Sequence, residues 1–239
     1  PEPYRIWEYY NQKASLAQGY DIAINNKGLR DLPKARMFLS KEELLTGRQI
    51  INQVKEKIKK EKVVIIQPFG RGIQHVDNSF VDNTGRSIEY KDFKSLIRKL
   101  QENDFAVITM AEMGFDFSKD KFKDDVAMPE SVSLRHWSAA IKFANHFIGC
   151  DSVGQHLSYI MDTPSTIILG PTYPINVSYP DCEYFNIVDL GQHGRVYDPI
   201  RIMPDETTSR HNENLMSMSK EIVDYTIDRV LGKLIEEEA

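Results

Sequence analysis

From about residue 60 onward, short apolar runs alternate with stretches whose apolar residues recur at helical spacing. Val63-Val64-Ile65-Ile66-Gln67 is apolar almost throughout and stops at Pro68-Phe69-Gly70, which predicts a strand buried on both faces. Residues 71–86 are polar and carry Gly72 and Gly85, a loop pattern. Phe93, Leu96, Ile97 and Leu100 predict a helix over 90–103, followed by a strand over 105–109. Residues 111–130 are irregular and charged. Leu134, Trp137, Ala140, Ile141 and Ala144 predict a helix over 133–144, and 147–150 a short strand. A helix over 152–161 and a strand over 165–169 come next, then a last strand over 184–188. Ile222, Tyr225, Val230 and Leu234 anchor a final helix over about 217–234.

The first sixty residues read differently. Ile6, Tyr9, Tyr10, Leu16 and Ala17 predict a helix over 4–18, with a short strand over 20–24. Residues 25–36 contain Gly28 and Pro33 and read as a linker. Ser40 followed by Glu42 and Glu43 is a helix start, a hydroxyl cap with acids in the first turn. That helix runs to about residue 60, and its charge run over 55–62 reads as a solvated face. Apolar strands alternating with amphipathic helices predict an α/β fold, a Rossmann-like parallel sheet with helices on both faces. Such sheets bind ligands at the carboxyl ends of their strands.

Composition narrows the function classes. Of 239 residues, 41% are hydrophobic and 27% charged, enough for a sizeable core. The net charge of -5 argues against a general nucleic-acid binder. Cys150 and Cys182 are the two cysteines, too few for a disulfide framework, so a reducing, cytoplasmic setting is expected. No spacing suggests a zinc site, and no apolar run reaches the ~20 residues of a membrane span. The polar start Pro1-Glu2-Pro3-Tyr4 does not read as a signal peptide, and the chain reads as part of a longer protein.

Chemistry concentrates at Cys150-Asp151-Ser152-Val153-Gly154-Gln155-His156, where a strand ends and a helix opens. Ser152 is placed to cap that helix. Free amides around Val153 to Gln155, backed by the helix dipole, would form an anion site suited to a diphosphate. Gly154 would let a phosphate approach the backbone, and His156 would add a hydrogen bond or a charge. The simpler reading is that Asp151 and Ser152 only cap and that His156 is a buried polar contact.

The order of pieces from Ser133-Leu134, through Phe147-Ile148-Gly149-Cys150-Asp151-Ser152-Val153-Gly154-Gln155-His156-Leu157 and Thr163-Pro164, to Gly170-Pro171-Thr172-Tyr173-Pro174 resembles glycosyltransferase family 9. These are the ADP-heptose:lipopolysaccharide heptosyltransferases. The resemblance spans roughly residues 60–180 and departs from the family at Val153, where a glycine is usual. It implies a GT-B enzyme of the inverting, metal-independent type, with a nucleotide-diphosphate sugar as substrate and no cofactor. Asp151, Ser152, Gly154 and His156 would contact the diphosphate and sugar. Val132 would lie against the nucleobase or serve as a helix-entry core residue. Arg86, or else Arg71, would stabilise the leaving diphosphate, and Glu112 would accept from the ribose hydroxyls. The turn over 170–174 reads as a tight turn lining the crevice.

The implied organisation is a tail of an amino-terminal acceptor domain with its linker over 1–39, and a nucleotide-sugar-binding domain over 40–216. A helix over 217–239 would pack back toward the amino-terminal domain. The family's catalytic base lies near the start of that domain, and nothing before residue 60 resembles it. The expected partners are a nucleotide-sugar donor, a glycan or lipid-linked acceptor, and the missing domain or a partner chain. Two rivals stay open: a nucleotide-sugar 2-epimerase of GT-B fold, and a non-catalytic nucleotide-sugar-binding module.

Overall fold

The computed structural model describes residues 2–70, 73–76, 79–82, 84–111, 126–129, 132–196, 212 and 214–232. A helical turn over Pro3–Arg5 leads into α1 (Trp7–Tyr10) and α2 (Leu16–Asn25). The single helix expected over 4–18 is therefore broken, at Gln12, whose φ of 54° turns the chain into the left-handed region. The strand expected over 20–24 is part of α2. Ser15 and Gln18 close a capping box that sets the helix start. Tyr20 and Ile24, one helical turn apart, are both exposed, while Ile22 and Ala23 between them are half-buried.

Residues 26–40 have no regular structure, as expected of a linker. α3 (Lys41–Ile58) begins at a second capping box, Ser40 with Glu43. Glu43 also pairs with Arg135, so one carboxylate fastens α3 both to its own cap and to a later helix. There follow β1 (Lys62–Gln67), β2 (Ile73–Val76), β3 (Ser79–Asp82), α4 (Tyr90–Glu102) and β4 (Phe105–Thr109). Next come β5 (Val126–Ala127), α5 (Leu134–Phe143), β6 (His146–Gly149), α6 (Val153–Ile160) and β7 (Ser165–Leu169). α7 (Pro174–Val177), β8 (Phe185–Asp189) and α8 (Lys220–Val230) complete the order.

Six strands pair in parallel in the order β5-β4-β1-β6-β7-β8. The α/β parallel sheet is thus as the apolar pattern predicts. Two elements were not visible in it: β5, and the antiparallel hairpin β2–β3 within the expected loop. The hairpin is held by Phe80, stacked on Phe69 at 5.6 Å and beside Tyr90 at 4.8 Å.

Each strand feeds two cores. Val64 and Ile66 point to a cluster with Phe93, Leu96 and Leu100 of α4 and Val223 and Ile227 of α8. Val63 and Ile65 point to the opposite cluster with Ile51 and Val54 of α3, Trp137 and Ile141 of α5, and Leu157 of α6. Each fully buried side chain of this size contributes about 1.5–3 kcal/mol, which is why sheet and helices hold as one unit. At Gly47 a Cβ would lie 2.5 Å from Ala139, so α3 and α5 meet backbone to backbone. α8 is fastened on α4 by the Lys99–Asp224 pair at 3.0 Å.

Candidate functional site

The chain leaves β1 for β4 and β5 on one side, then crosses to β6, β7 and β8 on the other. The strand order reverses between β1 and β6, and the crevice outside their carboxyl ends is where such sheets take ligands. The residues there are Gln67, ending β1, and Cys150-Asp151-Ser152, following β6.

Gln67 is nearly buried and bridges the two strands. Its Oε1 accepts from the Gly154 amide at 2.8 Å, and its Nε2 donates to Ser152 Oγ at 3.2 Å. Two expectations change here. Ser152 sits at the N-cap of α6, but its hydroxyl takes the Gln67 amide and makes no capping bond. Gly154 is buried, and a Cβ on it would come within 2.4 Å of Gln67 Oε1 and of Phe147 Cζ. The close approach that this glycine permits is to the protein's own side chains. One first-turn amide of α6 is therefore spoken for, while among the described residues no side chain caps the others.

Arg86 reaches this turn from the opposite loop. Asp82 organises that loop, accepting from the amides and hydroxyls of Thr84 and Ser87 at 2.6–3.0 Å. Burial opposes its charge, but these hydrogen bonds outweigh burial and hold Asp82 below the usual carboxylate range. Gly70 donates to Ser87 Oγ at 3.2 Å and Ile88 donates to the Pro68 carbonyl at 2.8 Å, joining the loop to the end of β1. Arg86 Nε donates to Thr84 Oγ1 at 3.1 Å. Its Nη1 donates to the Asp151 carbonyl at 3.2 Å and faces Asp151 Oδ2 at 3.5 Å. Asp151 Oδ1 accepts from Gln155 Nε2 at 3.2 Å.

His156 lies one turn into α6, half-buried, with Nδ1 2.8 Å from the hydroxyl of Tyr179. Burial lowers its pKa, with Asp151 acting in the opposite direction, so the ring is neutral at pH 7. Tyr179 stacks on Tyr159 with ring centres 3.5 Å apart. Arg86, Asp151, His156 and Tyr179 line a pocket of about 360 Å³. Pro171, Thr172 and Tyr173 form one wall, as expected of the 170–174 turn. The other wall comes from the amino-terminal segment, with Tyr4, Tyr9 and Tyr20. Asn176 of α7 holds that segment in place, donating to the carbonyls of Tyr9 at 3.1 Å and Ala14 at 2.7 Å. Behind the 170–174 turn, Arg195 donates to the Gly170 carbonyl at 2.6 Å and pairs with Asp189.

The structure thus gathers Arg86, Asp151, Ser152, Gly154 and His156 at one strand crossing. Val132 is half-buried and packs against the α3/α5 core, the position of a helix-entry core residue. Glu112 and Arg71 lie outside the described residues. Sequence reasoning missed Gln67, Tyr179, Asn176 and the tyrosines of the amino-terminal wall. Only Gln67 left a local signal, a polar residue closing an apolar strand at its carboxyl end. Among the described residues no three His, Cys, Asp or Glu side chains group as metal ligands, and no helix is long and apolar enough to cross a membrane.

No protein-family model matches the chain, and no curated protein matches it in sequence. Solved structures do match in fold. A glycosyl transferase family 9 protein from Veillonella parvula is 13% identical, with a TM-score of 0.62 over 92% of this chain and 61% of that one. ADP-heptose lps heptosyltransferase II of E. coli is 12% identical, with a TM-score of 0.57 over 95% of this chain and 63% of that one. The dodecameric iron-containing heptosyltransferase TibC, in complex with ADP-D-β-D-heptose, is 13% identical, with a TM-score of 0.53 over 94% and 55%. The chain spans about three-fifths of the length of the first two, and over that span its fold is the GT-B α/β fold of glycosyltransferase family 9 structures.

Proposed function

We propose that this chain binds a nucleoside-diphosphate sugar and is the donor-binding part of a glycosyltransferase. The observation that carries the proposal is the Arg86 guanidinium standing at the first turn of α6, at the strand-order reversal, where Gln67 takes the Gly154 amide and Ser152 caps none. A helix amino terminus and a cation together favour a diphosphate. The Arg86–Asp151 contact is loose at 3.5 Å, so the guanidinium can turn from the carboxylate to a phosphate oxygen. Asp151, an acceptor only when ionised, suits sugar hydroxyls better than phosphate. The fold is shared with proteins described as heptosyltransferases, one of them holding ADP-D-β-D-heptose.

In this proposal Arg86 stabilises negative charge on the departing diphosphate, so no metal is needed for that step. Transfer would invert the anomeric centre, with a glycan or lipid-linked acceptor, lipopolysaccharide among them. The acceptor and the base that takes its proton would come from outside these 239 residues. Calorimetry with ADP-, UDP- and GDP-sugars tests the donor site. One of them binds, and Arg86→Ala weakens it about tenfold to a hundredfold. Binding by none of the three to the folded protein, or unchanged binding by the variant, overturns the proposal.

A further inference from the structure

We infer that Tyr179 is a positioning residue that fixes His156 as the Nε2–H tautomer, so that the histidine presents a hydrogen-bond donor to whatever fills the pocket. As applied to a sugar nucleotide, the inference rests on the donor-site proposal above; the tautomer itself does not. Tyr179 Oη lies 2.8 Å from His156 Nδ1. Two arrangements fit that distance. Either the phenol donates to an unprotonated Nδ1, or a protonated Nδ1 donates to the phenol oxygen.

Three features favour the first. The phenol is the more acidic donor and an unprotonated imidazole nitrogen the better acceptor, so this is the stronger bond. In the second arrangement the phenol hydrogen would have no acceptor among the described residues, in a half-buried place where an unmade bond is costly. Burial also pushes the Tyr179 pKa up to about 12, with Tyr159 adding to the effect and Lys34 opposing it, so the phenol keeps its hydrogen at neutral pH. Neutral imidazole carries one N–H, so with Nδ1 accepting, the hydrogen sits on Nε2. Among the described residues Nε2 has no protein partner, and His156 lines the pocket.

The geometry around Tyr179 is built to hold this bond. Its ring lies flat on Tyr159, 3.5 Å away and 6° from parallel, and edge-on to Phe185 at 5.4 Å. Tyr159 in turn has the Lys34 ammonium 4.4 Å from its own ring centre. His156 meets Tyr179 edge to face at 5.7 Å. The hydroxyl therefore has little freedom to leave the imidazole. A histidine held this way offers an N–H to a phosphate or sugar oxygen and has no basic nitrogen facing the pocket. It is excluded as the general base of a transfer reaction.

Nitrogen-detected NMR of the histidine side chains at pH 7.5, with His156→Gln for assignment, reads the tautomer directly. In the wild type His156 shows a protonated Nε2 and an unprotonated Nδ1. Tyr179→Phe keeps the ring stack but removes the donor, and the His156 signals move toward a mixture of tautomers. The sugar nucleotide found by calorimetry then binds Tyr179→Phe about threefold to tenfold more weakly. His156→Gln, which keeps an N–H near the Nε2 position, binds better than His156→Ala. A wild-type proton on Nδ1, or a His156 spectrum unchanged in Tyr179→Phe, overturns the inference. If the tautomer is as stated and no sugar nucleotide binds, the tautomer assignment holds and the donor-site proposal falls.

Discussion

Replacing Gly154 by alanine separates two roles for a glycine at a helix start. Free of tertiary contacts, the change would stabilise the helix by up to about 1 kcal/mol. Here the new methyl would sit 2.4 Å from Gln67 Oε1 and 2.4 Å from Phe147 Cζ. Phe147 is fully buried under α6 and cannot swing out. Gln67 must move, breaking its 2.8 Å bond to the Gly154 amide, and the start of α6 must lift off the Phe147 ring. Overpacking of this kind costs about 1–3 kcal/mol. The orphaned amide adds about 1–3 kcal/mol if it stays dry. Net of the helix gain, Gly154→Ala loses about 1–5 kcal/mol, a drop in Tm of about 2–20 °C for a chain of this size. Urea unfolding gives the free energy, with an unchanged m-value confirming that the same transition is followed. A variant as stable as the wild type would refute the packing argument. If such a variant also lost affinity for sugar nucleotides, the glycine would serve ligand approach alone.

Two further outcomes follow from buried charge. Arg195→Met leaves Asp189 unpaired and the Gly170 carbonyl without its donor, and destabilises the protein by about 3 kcal/mol in thermal or urea unfolding; a change below about 0.5 kcal/mol would show that the pair is idle. His146 is buried against Thr166 at 2.8 Å, and burial lowers its pKa to about 4. The unfolded chain takes up this proton near pH 6.5 and the folded chain only near 4, so the unfolded state binds more protons between them. Stability therefore falls as pH drops through that window, by about 3 kcal/mol at most from this group, and is unaffected above it. Urea midpoints at pH 7, 5.5 and 4 check this, and the loss should shrink in His146→Gln.

The sheet was legible because its strands carry their own signal. Val63 to Ile66 feed cores on both faces, so nearly every position must be apolar, and the run stands out in sequence. α3 was legible from Ser40, a hydroxyl cap that the structure uses as a cap, and α5 from the helical spacing of Leu134, Trp137, Ala140 and Ile141. The same logic failed at Ser152, because a cap is local and Gln67, 85 residues away, competes for its hydroxyl. The strand expected over 20–24 is a helix because the Ser15–Gln18 capping box starts α2 just upstream and carries it through that run. Asp151 and His156 stood out because they follow a strand and open a helix at the strand's carboxyl end, whereas Arg86 was singled out only through the resemblance to glycosyltransferase family 9. Tyr179, Asn176 and the amino-terminal tyrosines were not. Their roles are created by contacts across up to 167 residues of sequence, which no local pattern records.

The two hydrogen bonds from Asn176 to the carbonyls of Tyr9 and Ala14 have a thermodynamic consequence. They make the amino-terminal segment a tethered guest of the sheet domain, joined by the exposed, irregular stretch over 26–36. A connection of that length would hold its guest at an effective concentration of roughly millimolar, so that docking would be intramolecular. The seated segment supplies the Tyr4, Tyr9 and Tyr20 wall of the pocket. Whatever fills the pocket must then tighten the docking by the same factor that docking tightens its own binding. Occupancy would thus be visible far from the ligand, as slower amide exchange in α1 and α2 and as slower cleavage of the tether by protease.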